Sequence, residues 1–326
     1  MCVLQNDPQG GRFFGRKVLV TGASGFIGSH LCARLIASGA DVHAVSRYPH
    51  EAGELTWHRA DLTDIAAVRA IVAKVKPDIV YHLASHVSGS RALEAVQLCA
   101  SGNLFSTINV LTAVTEAGCE RVILAGSLEE PQSGDETPSS PYAVAKGAST
   151  AYARMFHALY RTPVVMARLF MVYGPGQYDL KKLVPYVTVS LLRNTAPALT
   201  AGGRDVDWIY VEDVVSGLVA SAHAQGVVGE RVDLGSGKLV KVRDVALQLA
   251  REIGSQAQPQ FGAAPERAME QIRVADPADA FAKLSWRPSV GLQDGLKRTV
   301  AWYAGRLEAG TLQPASTGAL VAQLAQ

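Results

Sequence analysis

The run Lys17-Val18-Leu19-Val20-Thr21, followed at once by Gly22-Ala23-Ser24-Gly25-Phe26-Ile27-Gly28, constrains the fold more than any other feature of the sequence. The first five residues predict a short strand that ends at a glycine-rich turn, and from Phe26 to Ser38 apolar residues return at helical spacing. The pattern then repeats. Asp41 to Ser46, Asp78 to Leu83, Arg121 to Ala125 and Pro163 to Phe170 read as strands, with Ala-rich segments between them long enough for crossover helices. Alternating β and α elements predict an α/β domain with a doubly wound parallel sheet covered on both faces.

After Tyr173-Gly174-Pro175-Gly176 the alternation loosens, with turn signals at Ala201-Gly202-Gly203 and Gly235-Ser236-Gly237. Helices are predicted over Val214 to Ala224, Val242 to Ile253 and Leu292 to Tyr303, none able to bury an independent core. The expected organisation is an N-terminal extension (1–16), a dinucleotide-type domain (17–172, with later segments returning to it), a smaller mixed α/β lobe (173–306) and a tail (307–326). A chain of 326 residues exceeds the size at which a single core usually suffices.

Charge and cysteine content exclude several functions. Lys plus Arg is 31 against 29 for Asp plus Glu, a net +2 that gives no footprint for nucleic acid or an anionic membrane. No uninterrupted apolar run approaches a bilayer span. Cys2, Cys32, Cys99 and Cys119 lack paired spacing, so no metal site or disulfide framework is expected. The first sixteen residues lack the apolar segment of a signal peptide, which leads to a cytoplasmic expectation.

Between a strand and a helix, Gly22, Ser24, Gly25, Phe26, Ile27 and Gly28 stand where a diphosphate binds in a doubly wound fold. The backbone must approach the pyrophosphate, and the free N–H groups of the helix must point at it. At the end of the second strand Ser46-Arg47 replaces the usual carboxylate. Arg47 can pair with a 2′-phosphate and Ser46 can hydrogen-bond one, so NADP(H) is expected, with NAD(H) the alternative. Asp61-Leu62, after the third strand, can bracket the adenine.

Tyr142-Ala143-Val144-Ala145-Lys146 opens a helix after Pro141, and the four-residue spacing puts phenol and ammonium on one face. A lysine cation beside a phenol lowers the tyrosine pKa and suits it to proton exchange with a hydroxyl or carbonyl. Lys146 can also hold a nicotinamide ribose. Ser127 lies just past the fifth strand, where its hydroxyl can steady a reacting oxygen. Glu129 and Glu130 follow, and Glu129 is the candidate base at a sugar carbon.

These residues, together with His82-Leu83-Ala84-Ser85, Asn103 through Leu111 and Arg168-Leu169-Phe170-Met171-Val172-Tyr173-Gly174-Pro175-Gly176, resemble the extended short-chain dehydrogenase/reductases, the nucleotide-sugar epimerases, dehydratases and 4-keto reductases. The resemblance runs from about Lys17 to Tyr303. It implies a Rossmann domain in which Ser127, Tyr142 and Lys146 form the catalytic set, with Tyr142 as acid/base and hydride exchange at the nicotinamide. It adds Leu83, Ala84, Ser85 and Asn103 to the cofactor residues. It also implies substrate contacts from Ser85, Met171, Val184, Arg204 and Arg273, the two arginines holding a nucleotide diphosphate.

Two departures from the family pattern bear on the reaction. Met171 stands where asparagine is usual. Leu128-Glu129-Glu130-Pro131 replaces the valine-tyrosine-glycine turn of many epimerases and is similar to the Gly-Ser-x-Glu-Glu run of 4-keto-6-deoxy sugar reductases. The leading expectation is therefore NADPH-dependent reduction of a 4-keto nucleotide sugar. A 4-epimerase is the alternative, then a 4,6-dehydratase or decarboxylase, and a non-catalytic dinucleotide sensor is the reading from another class. A homodimer through the helices Leu93 to Gly118 and Ala143 to Tyr160 is also implied.

Overall fold

The computed structural model describes residues 12–48, 53–133, 135–266 and 269–312. In chain order the elements begin with β1 (Lys17–Thr21), α1 (Phe26–Ala37), β2 (Asp41–Ser46), β3 (Thr56–Arg59), α2 (Ile65–Val75), β4 (Ile79–His82) and α3 (Ala95–Cys99). A π-helical turn (Ala100–Phe105) leads into α4 (Ser106–Ala117), β5 (Arg121–Ser127), α5 (Pro141–Tyr160), β6 (Val164–Leu169), β7 (Met171–Tyr173) and α6 (Leu183–Leu192). The chain continues through β8 (Ala198–Leu199), β9 (Asp205–Tyr210), α7 (Val211–His223), β10 (Arg231–Leu234), β11 (Leu239–Lys241) and α8 (Val242–Ile253). It closes with β12 (Gln260–Phe261), α9 (Pro277–Leu284) and α10 (Leu292–Glu308).

Two compact units result. The first comprises Met1–Leu169, Val215–Asp233 and Ala278–Trp286, the second Phe170–Val214, Leu234–Pro277 and Arg287–Gln326. In the first unit a seven-stranded sheet has the order β10-β6-β5-β4-β1-β2-β3. Every pairing from β6 to β3 is parallel, as the alternation requires. The order reverses between β1 and β4, and that switch point opens a crevice at the carboxyl ends of the strands. Leu19, Val80, Val122, Leu124 and Met166 of the sheet meet Val68 and Val72 of α2, Val110 and Val114 of α4 and Phe156 of α5 in one core.

Local chemistry fixes the helix starts. Asp64 accepts from the N–H groups of Ala66 and Ala67 to cap α2, and Ser140 accepts from Ala143 N–H to cap α5 with Pro141 in its first turn. That cap sets Tyr142 inside the first turn of α5. The helical run Ala95–Ala117, which includes the π turn, is long and apolar enough by length and composition to cross a membrane, a property the sequence reading does not assign to it. It is buried on one side only: α4 lies on α2 and α5, and Asn103, Ser106 and Thr107 are buried, while Leu98 and Phe105 are exposed. Residues 12–16 of the expected extension are integrated into this unit, since Phe13 is buried edge-on against His223 and Gly15 N–H donates to the Gly39 carbonyl. Cys32, Cys99 and Cys119 are free thiols, while Cys2 lies outside the described residues.

The second unit has a three-stranded sheet, in which β9 runs antiparallel to β11 and parallel to β7, and a two-stranded parallel pair of β8 and β12. Tyr173, Val187, Leu191, Trp208, Tyr210, Leu249 and Leu296 form much of its core. Buried carboxylates gather its loops. Asp207 accepts from Ser236 N–H and Oγ, both at 2.7 Å, from Gly237 N–H at 3.0 Å and from Ala275 N–H at 2.9 Å. Asp213 accepts from Ser289 N–H and Oγ and from Val290 N–H. Helix α10 continues past Tyr303 to Glu308, and Leu312 is buried with Val189 and Tyr303, so the expected tail does not begin at 307; residues 313–326 lie outside the described ones.

Candidate active site

The glycine turn is built by its own packing. At Gly22, with φ of +73°, a Cβ would stand 2.7 Å from Ala84 N and 2.8 Å from Leu83 C. At Gly28 it would stand 2.0 Å from the Gly22 carbonyl oxygen. Both positions exclude any side chain whether or not a ligand is bound, so the loop's own closure adds a reason for glycine beyond the pyrophosphate's approach. Gly25 differs. It is exposed, donates its N–H to Gly22 O at 3.0 Å and stands at the N-cap of α1 with no side-chain cap. The first-turn N–H groups of α1 thus lack a capping side chain, which fits this turn to the diphosphate of a dinucleotide. Ser24 is exposed beside it, with Phe26 and Ile27 half-buried.

At the ends of β2 and β3 the expected adenosine residues are partly engaged by the protein. Ser46 Oγ accepts from Tyr48 N–H at 3.1 Å, and the exposed Arg47 guanidinium lies 5.7 Å from the Tyr48 ring centroid. Asp61 Oδ1 accepts from Thr63 N–H and Oγ1, bonds that hold its carboxyl below the ordinary range with help from Arg47. Asp61 Oδ1 thereby organises its own turn. The Leu62 carbonyl accepts from Asn109 Nδ2 at 2.9 Å.

A buried polar chain joins the glycine turn to the loop after β4. Ala84 N–H donates to Thr21 Oγ1 (3.2 Å), which lies 2.8 Å from His82 Nδ1, and His82 Nε2 lies 3.2 Å from Thr107 Oγ1, which donates to the Asn103 carbonyl. These bonds form one directional series only if Nε2 carries the imidazole proton. Burial holds His82 neutral by pulling its pKa to about 3, and the nearby Lys146 charge acts the same way. Asn103 sits in the π turn, accepts from Ser85 Oγ (2.6 Å) and His86 N–H (3.0 Å), and donates to the His86 carbonyl. Its side chain therefore shapes the Ser85-His86 backbone. Sequence reasoning quotes His82 only as part of a motif; the hydroxyls of Thr21 and Thr107, far apart in the chain, give it a job.

Ser127 ends β5, and Tyr142 and Lys146 lie on α5, each buried. The Ser127 and Ser85 hydroxyls lie near enough to the Tyr142 hydroxyl to favour its ionised form. Lys146 Nζ donates to the Ala125 carbonyl at 2.9 Å, and burial draws its pKa down to about 8. The expected depression of the tyrosine pKa is not found in this state. Burial raises it, the charges of Glu129 and Glu130 push the same way, and only the two nearby serine hydroxyls oppose them. Glu129 is half-buried near Tyr142, and its N–H donates to Ser127 Oγ at 3.2 Å. Glu130, which the sequence presents only as a loop acid beside Glu129, is buried. It lies beneath Ser127, 2% exposed, and accepts from Ser127 N–H at 2.6 Å and Thr150 Oγ1 at 3.0 Å.

In the second unit Arg204 and Arg273 converge on one residue that the sequence does not single out. Arg204 Nη2 donates to the Gln271 carbonyl at 3.1 Å and Arg273 Nη2 to Gln271 Oε1 at 3.2 Å, while Arg204 Nη1 pairs with Glu270 at 3.0 Å. The two guanidiniums thus form a local cluster. Met171 is half-buried at the start of β7. Val184 does not present its side chain to a ligand: it is 2% exposed and belongs to the core of this unit, because α6 is apolar on nearly all sides. No cluster of metal-binding side chains occurs among the described residues.

Known proteins are similar to this one along most of the chain. A UDP-glucose 4-epimerase of Mycolicibacterium smegmatis is 28% identical over 313 residues, covering 89% of this chain and 99% of the relative. A mouse dTDP-D-glucose 4,6-dehydratase is 28% identical over 322 residues, 89% of each. The solved UDP-glucose 4-epimerase of Thermus thermophilus in complex with NAD superposes with a TM-score of 0.78 at 28% identity, covering 89% of this chain and 99% of that one. Residues 18–235 match the family model described as the NAD dependent epimerase/dehydratase family, and the chain is an enzyme of that family, within the extended short-chain dehydrogenase/reductases.

Proposed function

We propose that this enzyme is an NAD-dependent 4-epimerase of a nucleotide-diphosphate hexose. The observation that carries the reading is the buried group of Tyr142, Ser127 and Lys146 at the carboxyl end of β5, in the same unit as a glycine turn fitted to a diphosphate. The bound dinucleotide supplies the acceptor and donor of hydride. Tyr142 Oη removes the proton from the sugar hydroxyl and returns it. The Ser127 hydroxyl beside Tyr142 favours the phenolate form during that exchange. Arg204 and Arg273 supply the positive charge that a nucleotide diphosphate needs, in a chain whose net charge of +2 provides little elsewhere.

This reading departs from the NADPH-dependent 4-keto reduction that Arg47 and the Glu-Glu loop suggest. Of the two glutamates, Glu130 is buried and engaged by Ser127 and Thr150, which removes it from contact with substrate. Epimerisation also returns the hydride and needs no reduced cofactor from solution, in keeping with relatives named 4-epimerases and a solved relative carrying NAD. The test uses UDP-galactose and UDP-glucose with catalytic NAD. Interconversion with no change in mass and no net consumption of cofactor supports the proposal; loss of water indicates a dehydratase, and stoichiometric NADPH oxidation with a 4-keto sugar a reductase.

The enzyme works as a homodimer in this proposal. Leu98 and Phe105, each 53% exposed, and Val144 and Tyr152 on α5 leave apolar surface on the helices α3 to α5. Sedimentation at micromolar concentration checks it, and a monomer removes it.

A further inference from the structure

Glu130 occupies a place made for it. A Cβ on Gly126 would stand 2.4 Å from Glu130 Oε1, and a Cβ on Gly147 would stand 2.9 Å from Pro131 Cδ. Two glycines, one on β5 and one on α5, leave the space that Glu130-Pro131 fills. Tyr142, Lys146 and Thr150 are four residues apart and share one face of α5. Two of them are bonded to the strand or its loop, Lys146 to the Ala125 carbonyl and Thr150 to the Glu130 carboxylate, and Tyr142 stands near the Ser127 hydroxyl. Burial pushes the Glu130 carboxyl above the ordinary carboxylate range, and the bonds from Ser127 N–H and Thr150, the charge of Lys146 and that of Arg168, itself paired bidentately with Asp233, oppose it.

We infer that Glu130 is a positioning residue for the epimerisation, clamping Ser127 to α5 through Thr150 and holding a negative charge behind Lys146. The inference rests on the reading of Ser127, Tyr142 and Lys146 as the reacting group. A buried carboxylate that accepts a backbone N–H and a side-chain hydroxyl fixes both elements, so the strand end carrying Ser127 cannot drift from the helix carrying Tyr142. The charges around Lys146 come from few sources. Neutral His82 faces it from β4, Tyr142 lies one turn earlier on α5, and Glu130 is the carboxylate whose charge opposes the burial that lowers the Lys146 pKa. Glu129 acts on Tyr142, and Arg168 on Glu130.

The test compares Glu130→Gln, Thr150→Val and Tyr142→Phe, with UDP-galactose as substrate and NAD as cofactor. Glutamine keeps the shape and can still accept from Ser127 N–H and donate to Thr150, so it removes charge with little loss of contact. For Glu130→Gln we expect kcat to fall by about tenfold or more with KM within about threefold. The Lys146 pKa, read from its Cε chemical shift in 13C-lysine-labelled protein, should fall by about one unit, and the alkaline limb of kcat should move down with it. Thr150→Val keeps the charge and loosens the clamp, so kcat should fall by about threefold or more with the Lys146 titration unmoved. A merely structural Glu130 lowers thermal stability and leaves both titrations in place, which overturns the inference. Should Glu130→Gln fail to fold, wild-type kcat in Thr150→Val overturns it. Full turnover in Tyr142→Phe instead removes the underlying reading, and the lysine titration, which needs no substrate, still decides whether Glu130 sets the charge of Lys146.

Discussion

The two units solve the same problem, satisfying buried polar groups, by different means. In the first, a seven-stranded sheet satisfies its backbone through strand pairing, so side chains at the strand ends are spared that duty and become available for chemistry. Ser127, at the last residue of β5, is the example. Among the described residues of the second unit no sheet is wider than three strands, and several strands have two or three residues. There the buried carboxylates of Asp207 and Asp213 take the place of ladder partners, accepting from backbone N–H groups brought in from distant loops. The second unit uses these carboxylates to hold its loops together, whereas the buried carboxylate of Glu130 in the first is, on the inference above, also set to serve the reacting group.

The contrast is open to direct attack, most sharply at Asp207. Asp207→Ala strands three backbone N–H donors in a buried setting, and a loss of about 4 kcal/mol is expected from the cost of leaving such groups unmade. Urea unfolding measures it. A loss below about 1 kcal/mol would mean the loops close without their hub and the contrast fails. Tyr142→Phe should do the reverse in the first unit, costing about a hundredfold or more in kcat while leaving the unfolding midpoint near wild type. If both variants lose stability and activity together, the division of labour between the units is wrong.

Legibility in the sequence follows the same divide. The bounds of β1 and β2 match the sequence reading, because a run of apolar β-branched residues beside a glycine turn is decided locally. Helix α8 also matches, from Val242 to Ile253, since its one-sided apolar stripe and Gly254 stop are local signals. The β7-β9-β11 sheet is not legible: its strands pair across 30 or more residues, and its hub Asp207 finds Ser236 and Ala275 at separations of 29 and 68. At the candidate site, residue types are readable and their directions are not. Glu129 and Glu130 are neighbours in one loop, yet one lies near Tyr142 and the other beneath Ser127, a difference set by the room at Gly126 and Gly147. The core setting of the Val184 side chain is illegible for a similar reason, since an apolar helix gives no sign of which face meets the core.

A smaller effect tests whether polar side chains of the second unit serve a ligand as well as the fold. Arg204→Ala and Arg273→Ala should each raise KM for UDP-galactose by about tenfold with kcat nearly unchanged, the signature of lost uniform binding. An unchanged KM for both would leave the arginines to Glu270 and Gln271 as internal partners, and the second unit would then be scaffold throughout.

The smallest expected effect lies at Arg47, at the other end of the first unit's sheet from its reacting group. Its guanidinium is exposed, near the Tyr48 ring and within reach of the Asp61 charge, so its interactions are screened by solvent and salt. Arg47→Ala should therefore change the dissociation constant for NAD by no more than about threefold and leave stability unaltered. The same change should weaken NADP by about tenfold, because a 2′-phosphate would draw on that charge directly. Titrating both dinucleotides against wild type and variant separates the outcomes. Tighter binding of NADP than NAD by wild type would restore the reductive reading of Arg47. Loss of stability on substitution would instead make Arg47 a structural residue, and a strand-end side chain of the first unit would then be doing what only the second unit's carboxylates are supposed to do.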